Sequence, residues 1–133
     1  MKKSIVISAL ILITLQCCTV DKKSSIIGSW KVDSIYTYYN GFDFTRQDVA
    51  DEPILHYETD GQLRMTMQEE SRSFEFDISV QDTLFHRTMD KKVFDKFFIQ
   101  KLDRRQLILR KELRPVFKGV QQERYEIKFL SKQ

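Results

Sequence analysis

Residues 74–80 read Phe-Glu-Phe-Asp-Ile-Ser-Val, so every second residue is apolar and the residues between them are polar. Successive side chains of a strand point to opposite faces, and this period of two therefore predicts a strand with one buried and one solvated face. The same alternation recurs from Trp30 to Tyr38 and in residues 124–129. Such strands are typical of an antiparallel sheet that is exposed to water on one side.

The alternating runs and the turn residues between them predict eight strands in one all-β domain. An open sheet of these strands would leave a large apolar face bare, whereas closure into a barrel hides that face and removes the sheet edges. We therefore predict a small up-and-down antiparallel β-barrel, with a two-sheet sandwich of the same strands as the alternative. The predicted strands are residues 29–38, 53–58, 62–68, 73–80, 83–88, 94–102, 106–112 and 123–130.

The hairpin around Thr59-Asp60-Gly61 can be given a register from its side chains. A three-residue connection with a left-handed glycine sets Tyr57 opposite Leu63 and keeps one face apolar. A two-residue turn would instead place a charged residue beside an apolar one. We therefore predict the three-residue connection.

A two-residue turn is predicted for the hairpin at residues 81–82. It sets Ile78 opposite Phe85 on the buried face and turns His86 outward. His56 is also predicted to point outward. Neither histidine has a thiolate or a carboxylate cluster nearby in sequence, so no metal site is predicted.

The predicted connections alternate in length along the chain. The longest are residues 39–52 and 113–122, and every second connection between them is short. In an up-and-down meander, alternate connections lie at the same end. The predicted barrel therefore has one tight end and one end with long loops.

The N-terminus predicts a secretory signal peptide over residues 1–17. A basic start precedes the apolar run from Ile5 to Leu15, which is too short to cross a bilayer. The run ends at two adjacent cysteines, and Leu15 stands three residues before Cys18. This arrangement resembles a bacterial lipoprotein signal, in which the cysteine thiol becomes the lipid attachment point. We predict lipidation at Cys18, with Cys17 as the alternative.

Composition and charge exclude several functional classes. The 133 residues include only four glycines and two prolines, which fits one small globular domain. Residues 18–90 hold 7 basic and 14 acidic residues, and residues 91–133 hold 13 and 5. The two halves either attract each other or leave a cationic face for an anionic partner. An exported chain without an aromatic and basic binding motif is not expected to bind nucleic acid.

The segment Ile27-Gly28-Ser29-Trp30 carries a resemblance to a known family. A Gly-x-Trp that enters the first strand of an eight-stranded meander resembles the lipocalin signature, and the Tyr57–Leu63 hairpin is similar to one in the same group. The chain resembles the lipocalin-like domain of small Bacteroidetes-type lipoproteins. The resemblance implies a barrel whose tight end is plugged by Trp30. The chain departs from the usual lipocalin pattern in one respect, because neither Arg124 nor Lys128 is placed to stack on that tryptophan.

These observations predict three segments: a signal peptide (residues 1–17), a tether (18–25) and a lipocalin-like barrel (26–133). We expect a lipid-anchored protein of the cell envelope, held at the outer membrane and facing the periplasm. The segment after the cysteines lacks the acidic run that surface export in this group tends to show. No phosphate loop, zinc motif or acid–base pair is present in the sequence, so neither catalysis nor a cofactor is predicted.

Two functions are compatible with this sequence. In the first, the barrel binds a small apolar or amphipathic molecule, although an interior of this size can also be filled by side chains alone. In the second, the 38–52 loop binds an envelope protein or folds as a lid over the barrel. The cavity candidates are Tyr57, Phe74, Phe76, Ile78, Phe85, Ile127 and Phe129, and the loop candidates are Tyr39, Phe42 and Phe44.

Overall fold

The structure, a computed structural model, describes residues 21–133. The signal peptide and both cysteines lie outside the described residues. The described part has one short helix, α1 (Lys22–Ile26), and nine strands. The strands are β1 (Gly28–Tyr39), β2 (Phe42–Arg46), β3 (Ile54–Tyr57), β4 (Gln62–Met67), β5 (Glu70–Ile78), β6 (Thr83–Arg87), β7 (Val93–Leu102), β8 (Gln106–Glu112) and β9 (Arg124–Lys132).

Eight of the strands form a closed antiparallel barrel, which confirms the predicted fold class. Each strand from β3 to β8 pairs with the next along the chain, and β1 pairs with both β3 and β9. The short turns 58–61, 79–82 and 103–105 lie together at what we call the closed end. The long connections lie at the opposite, open end. Within residues 21–133, no helix is long and apolar enough to cross a membrane.

The remaining strand, β2, corrects the prediction of one long loop over residues 39–52. It pairs with the far half of β1, on the same edge that β3 occupies near Gly28. The hairpin turns at Asn40 and Gly41, which both have positive φ. Asn-Gly is the preferred pair for a two-residue type I′ turn, so the signal for this hairpin was present in the sequence.

A bulge in β1 inverts the outward and inward faces of its second half. Val32 pairs with Leu130 but Ser34 pairs with Phe129, which leaves Asp33 without a partner residue. Ile35 is therefore buried, and Tyr36 and Tyr38, which were predicted to face inward, pack against Tyr125 on the outer face instead. A bulge adds one residue to a strand and so shifts the alternation that follows it.

The turn after β5 also differs from the prediction. Ile78 pairs with Leu84 rather than Phe85, because the connection has three residues instead of two. Asp82 takes the left-handed position of this turn, with φ of 60°. The predicted three-residue turn at Gly61 has the same form, and there the pairing of Tyr57 with Leu63 is confirmed. Asp tolerates the left-handed region better than most residues, so a glycine was not needed at the second site.

Trp30 fills the closed end of the barrel and is fully buried. Its indole Nε1 donates to the carbonyl oxygen of Ile26, the last residue of α1, at 2.7 Å. Residues 22–25, assigned to the tether from the sequence, form the rest of that helix, which Asp21 caps through the backbone N–H of Lys23. The helix thus covers the closed end.

Lys132 lies over the other side of the plug, with its Nζ 5.3 Å from the centroid of the Trp30 ring. The expectation that no basic side chain stacks on Trp30 was wrong, because β9 runs past residue 130 to Lys132. Gly28 has φ of 128°, and a Cβ there would come within 2.6 Å of the Lys132 side chain. The glycine of Gly-x-Trp is therefore required by its backbone, whereas the flexible end of Lys132 could move away from a Cβ.

We expect Trp30→Ala to lower the free energy of unfolding by about 3–5 kcal/mol, because it leaves a large void in the closed end. Phe44→Ala removes an aromatic ring that is 60% exposed and should change the free energy of unfolding by no more than about 0.5 kcal/mol. Chemical denaturation of both variants measures the difference. Equal denaturation midpoints would contradict the role of Trp30 as the plug.

Candidate functional site

The barrel interior has an apolar lower half and a charged upper half. Toward the closed end, the inward side chains are fully or almost fully buried and apolar, including Ile26, Trp30, Leu63, Leu84, Ile99, Leu107 and Leu130. Toward the open end, charged residues take the inward positions of β7, β8 and β9. The interior is therefore closed by packing at one end only.

A cavity of about 170 Å³ lies at the boundary between these halves. Its volume is close to the roughly 150 Å³ of an engineered core cavity that accepts benzene. A second cavity, of about 240 Å³, adjoins it and shares Pro53 and Met65. The first cavity is lined by Val32, Glu52, Pro53, Leu55, Met65, His86, Asp95, Phe97, Leu109 and Lys128.

His86 is the buried polar residue in this wall, with 1% of its surface exposed. Its Nε2 lies 2.9 Å from the hydroxyl of Tyr57, which is itself buried. Its Nδ1 is buried and has no hydrogen-bond partner among the described residues. An unsatisfied buried group of this kind costs about 1–3 kcal/mol, and this feature makes the wall around His86 the candidate site.

Burial lowers the pKa of His86 to about 4 and outweighs the opposing effect of the Asp95 charge. Lys128 and Lys111 lower this pKa further. Burial also raises the pKa of the Tyr57 phenol. At neutral pH the pair is therefore an uncharged imidazole beside an uncharged phenol, which suits recognition of a ligand better than proton transfer.

Two sets of ion pairs border the cavity. Glu52 accepts from Arg46 Nη2 at 2.9 Å and from Lys128 Nζ at 2.6 Å, and Asp95 pairs with Lys111. The side chains of Glu52 and Lys128 are only 15% and 20% exposed. Loss of one partner from such a pair leaves an uncompensated charge, so these contacts hold the wall in one arrangement.

The predicted cavity residues fall into three groups. Phe74 lines the adjoining cavity. Tyr57 and Phe76 pack edge to face in the core, with ring centroids 4.9 Å apart, and Ile78 packs against the same core. The other three, Phe85, Ile127 and Phe129, lie on the outer face.

The outward positions of these three residues correct the sequence analysis. The three-residue turn after Ile78 moves Phe85 out and His86 in. In β9, Leu130 pairs with buried Val32 and Leu107, so Ile127 and Phe129 alternate to the outside. The inward positions of the upper half of β9 are charged. The sequence analysis placed the apolar residues of this strand inside, whereas in its upper half the charged residues face inward and the apolar ones face outward.

The loop candidates lie in the β1–β2 hairpin at the open end. Phe42 and Phe44 are 77% and 60% exposed, so they do not form a closed lid. Tyr39 is partly buried, and the Arg124 guanidinium lies 5.2 Å from its ring centroid. β2 has a neighbour on one edge only among the described strands.

Sequence reasoning missed the polar residues of the wall. A signal existed for three of the residues in the ion pairs. Asp95 lies two positions before buried Phe97, Lys111 lies two positions after buried Leu109, and Lys128 lies two positions before buried Leu130. Glu52 carried no such signal, because its pairing with Lys128 joins a loop to the last strand and depends on closure of the barrel.

Comparisons of the chain with protein-family models, with curated proteins and with solved structures find no match. Within residues 21–133, no three His, Cys, Asp or Glu side chains lie close enough together to hold a metal ion. A larger depression, of about 600 Å³, lies mainly on the outer face of β6–β8, and its lining includes no buried polar atom that lacks a partner.

The low pKa of His86 makes stability depend on pH. Below its ordinary pKa of 6.5, the unfolded chain binds a proton on this histidine, whereas the folded chain does so only near pH 4. The free energy of unfolding is therefore undiminished by this residue above pH 6.5, and it falls as the pH is lowered from 6.5 toward 4. Through His86, the free energy of unfolding of the parent should be about 2 kcal/mol higher at pH 7 than at pH 5. We expect His86→Gln to remove this contribution.

Denaturation midpoints of the parent and of His86→Gln at several pH values measure this slope. His56→Gln is the control, because burial also lowers the pKa of His56 but that ring is only partly buried. The pH slope should change less in the control. An unchanged slope in His86→Gln would show that His86 is not buried as a neutral ring.

Proposed function

We propose that this protein is a lipid-anchored binding protein of the cell envelope that holds a small amphipathic molecule inside its barrel. The observation that carries the proposal is the unpartnered Nδ1 of His86 in the wall of a cavity of about 170 Å³. Ligand sites are mostly apolar pockets with a few placed polar groups, and this lining has that composition.

The proposal is one of binding without catalysis. The cavity lining contains no serine, threonine or cysteine that could act as a nucleophile. Its one lysine is paired with Glu52, and the pKa of His86 lies well below neutral pH. These groups are not tuned for acid–base chemistry at pH 7.

A lipocalin-like relationship is part of the proposal. It is supported by the closed barrel, by the buried Trp30 and by Lys132, which supplies the basic side chain expected over that tryptophan. The close approach of Lys132 to Gly28 links the glycine and the tryptophan of the motif to the end of the chain. The three residues form one contact at the closed end.

The proposed anchor determines which end of the barrel faces the membrane. Cys18 stands three residues before Asp21, a reach of at most about 10 Å. Asp21 caps α1, and α1 is held against the closed end by Ile26 and by an ion pair between Lys22 and Asp82. An anchored barrel would therefore keep its closed end near the lipid and its open end toward the periplasm, from which the ligand would enter.

We expect Cys18→Ala to abolish membrane attachment, so that the chain is found as soluble protein or as uncleaved precursor. Cys17→Ala should be processed and membrane-bound like the parent. Membrane fractionation and the mass of the mature chain measure both outcomes. If Cys17→Ala abolishes attachment and Cys18→Ala does not, the lipidated residue is Cys17. Membrane attachment of both variants would contradict the lipoprotein proposal.

Cavity binding can be tested with acetophenone, a substituted benzene of suitable size. We expect Met65→Trp to weaken its binding at least about tenfold, because Met65 lines both cavities and a larger ring would fill them. Met89→Trp makes the same change at a side chain that is 56% exposed and should bind like the parent. Titration followed by NMR measures the affinities. If the parent does not bind acetophenone, the cavity proposal fails.

The second candidate function is recognition of an envelope protein through the β1–β2 hairpin. Its support is the exposure of Phe42 and Phe44 on a strand with one free edge, which an extended segment of another protein could extend. The double variant Phe42→Ala, Phe44→Ala separates the two functions. It should leave acetophenone binding unchanged in either case, and it should abolish co-purification of an envelope protein with the tagged chain only if the hairpin is the functional site.

A further inference from the structure

A depression of about 540 Å³ lies at the closed end of the barrel, beside α1. It shares no lining residue with the cavity around His86, so it is a separate site. It contains two basic residues and opens to the surface, which makes it a candidate site for an anion. Its lining consists of Ser24, Ser25, Leu102, Asp103, Arg104 and Lys132.

The two basic residues, Arg104 and Lys132, are carried on backbone segments that are tied together. The backbone N–H of Lys132 donates to the carbonyl oxygen of Arg105 at 2.9 Å, which joins the end of β9 to the β7–β8 turn. The turn is itself held by Asp103, whose Oδ1 accepts from the backbone N–H groups of Arg105 and Gln106, both at 2.8 Å. The cations of the depression therefore have fixed attachment points.

The positive charge around the depression is not neutralised by the described part of the chain. Among residues 21–133, neither Arg104, Arg105 nor Lys132 forms an ion pair. The carboxylate of Asp103 is already engaged by the turn and by Lys101, whose Nζ lies 3.4 Å from its Oδ2. The turn and its two flanking lysines thus hold four basic residues against one acidic residue.

The groups that can donate to an anion are these cations rather than the serines. The hydroxyls of Ser24 and Ser25 both donate to Asp21 within α1, so their hydrogens are already used. Lys132 lies over the ring of Trp30, but this contact leaves its positive charge in place. A guanidinium and an ammonium side by side are suited to the oxygens of a phosphate group.

The other carboxylates of the closed end do not repel such a ligand strongly, because each already has a donor. Each accepts from a basic side chain or from a backbone N–H group, and these residues are Asp21, Glu58, Asp60 and Asp82. The acidic groups are therefore engaged, whereas the cations around the depression are available.

The proposed lipid anchor puts this depression next to the membrane. Asp21 lies at most about 10 Å from Cys18. Ser24 follows Asp21 by less than one helical turn, or about 5 Å. The lining therefore begins within about 15 Å of the lipidated residue. A folded domain, about 30 Å across, does not fit in that gap, whereas phospholipid headgroups occupy it.

We propose that the depression beside α1 binds the phosphate group of an anionic phospholipid and so holds the closed end against the membrane. The inference rests on the proposed lipid anchor and adds the chemistry of the membrane contact. A basic residue near an anionic bilayer strengthens binding about fivefold. Arg104 and Lys132 together should therefore strengthen it about 25-fold.

Soluble short-chain lipids test the site without relying on the anchor. With the purified full chain, dihexanoyl phosphatidylglycerol, below its micelle concentration, should shift the NMR signals of the Arg105 and Gln106 backbone N–H groups. It should also change the fluorescence of Trp30, the one tryptophan of the chain. Dihexanoyl phosphatidylcholine should bind at least about fivefold more weakly, because its choline is repelled by the same cations. Inorganic phosphate should also bind more weakly, because it cannot contact Leu102.

Two variants and one control test the residues. Arg104→Gln and Lys132→Gln each remove one cation from the depression and should weaken the binding of dihexanoyl phosphatidylglycerol about fivefold. Lys118→Gln removes the same charge from an exposed position in the β8–β9 loop at the open end, so it should bind like the parent. Denaturation midpoints show whether each variant is folded.

The lipidated chain tests the contact with a bilayer. In vesicles of phosphatidylcholine with one third phosphatidylglycerol, hydrogen exchange in the β7–β8 turn should be slower than in vesicles of phosphatidylcholine alone. The difference should disappear in the double variant Arg104→Gln, Lys132→Gln. Equal exchange in both kinds of vesicle would contradict the membrane contact.

The outcomes separate this inference from the proposed function. If dihexanoyl phosphatidylglycerol does not bind, or binds both depression variants like the parent, the inference is overturned and the anchor and the cavity are unaffected. Equal affinity for inorganic phosphate would identify a site for a free anion and would also overturn it. If Cys18→Ala and Cys17→Ala show that the chain has no anchor, the membrane contact fails together with the proposed function. Selective lipid binding that is weakened in both variants and kept in Lys118→Gln supports the inference.

Discussion

The pairing of the first long strand with the last one is the constraint on which the rest of this structure depends. β1 and β9 lie in register from Trp30, opposite Lys132, to Tyr39, opposite Arg124. This pairing closes the sheet and removes two free edges. It also brings Lys132 over the Trp30 ring. The closed end, the plug and the shape of the interior all follow from it.

The bulge within this pairing has a consequence for the interior. Because Asp33 has no partner residue, Ile35 rather than a tyrosine faces inward, opposite Lys128. Lys128 can then reach Glu52 and border the cavity. Ser131 donates to the Asp33 carboxylate at 3.0 Å, so the bulged residue is tied to β9. A local irregularity in one strand is thus coupled to the polar wall of the proposed site.

The barrel interior has a packed apolar half at the closed end and a polar half at the open end. The closed end is dry and fully packed, as expected of a core that stabilises a small domain. The upper half carries ion pairs and an unpaired imidazole nitrogen, which a structure optimised only for stability would replace with apolar side chains. The presence of these groups around a cavity is the observation behind the proposed binding function.

The sequence by itself determined the features that depend on neighbouring residues. Period-two alternation, as in residues 74–80, predicted the strands, and Gly61 predicted its turn and the register of Tyr57 with Leu63. The alternation of short and long connections predicted a barrel with unlike ends. The β1–β2 hairpin was equally readable, from Asn40-Gly41, but was missed. These signals are local because turn geometry and strand pleating act over a few residues.

Only the tertiary structure decided which face of several strands points inward, and with it the composition of the site. His86 is buried because the preceding turn has three residues. That turn has Asp82 in its left-handed position, where a glycine would have made the turn recognisable from the sequence. The inward positions of Glu52 and Lys128 depend on closure between segments that are far apart in the chain. Alternation defines two faces of a strand but does not say which one is buried when the inward face is charged. That choice is made by the partners that neutralise those charges, and they come together only in the closed barrel.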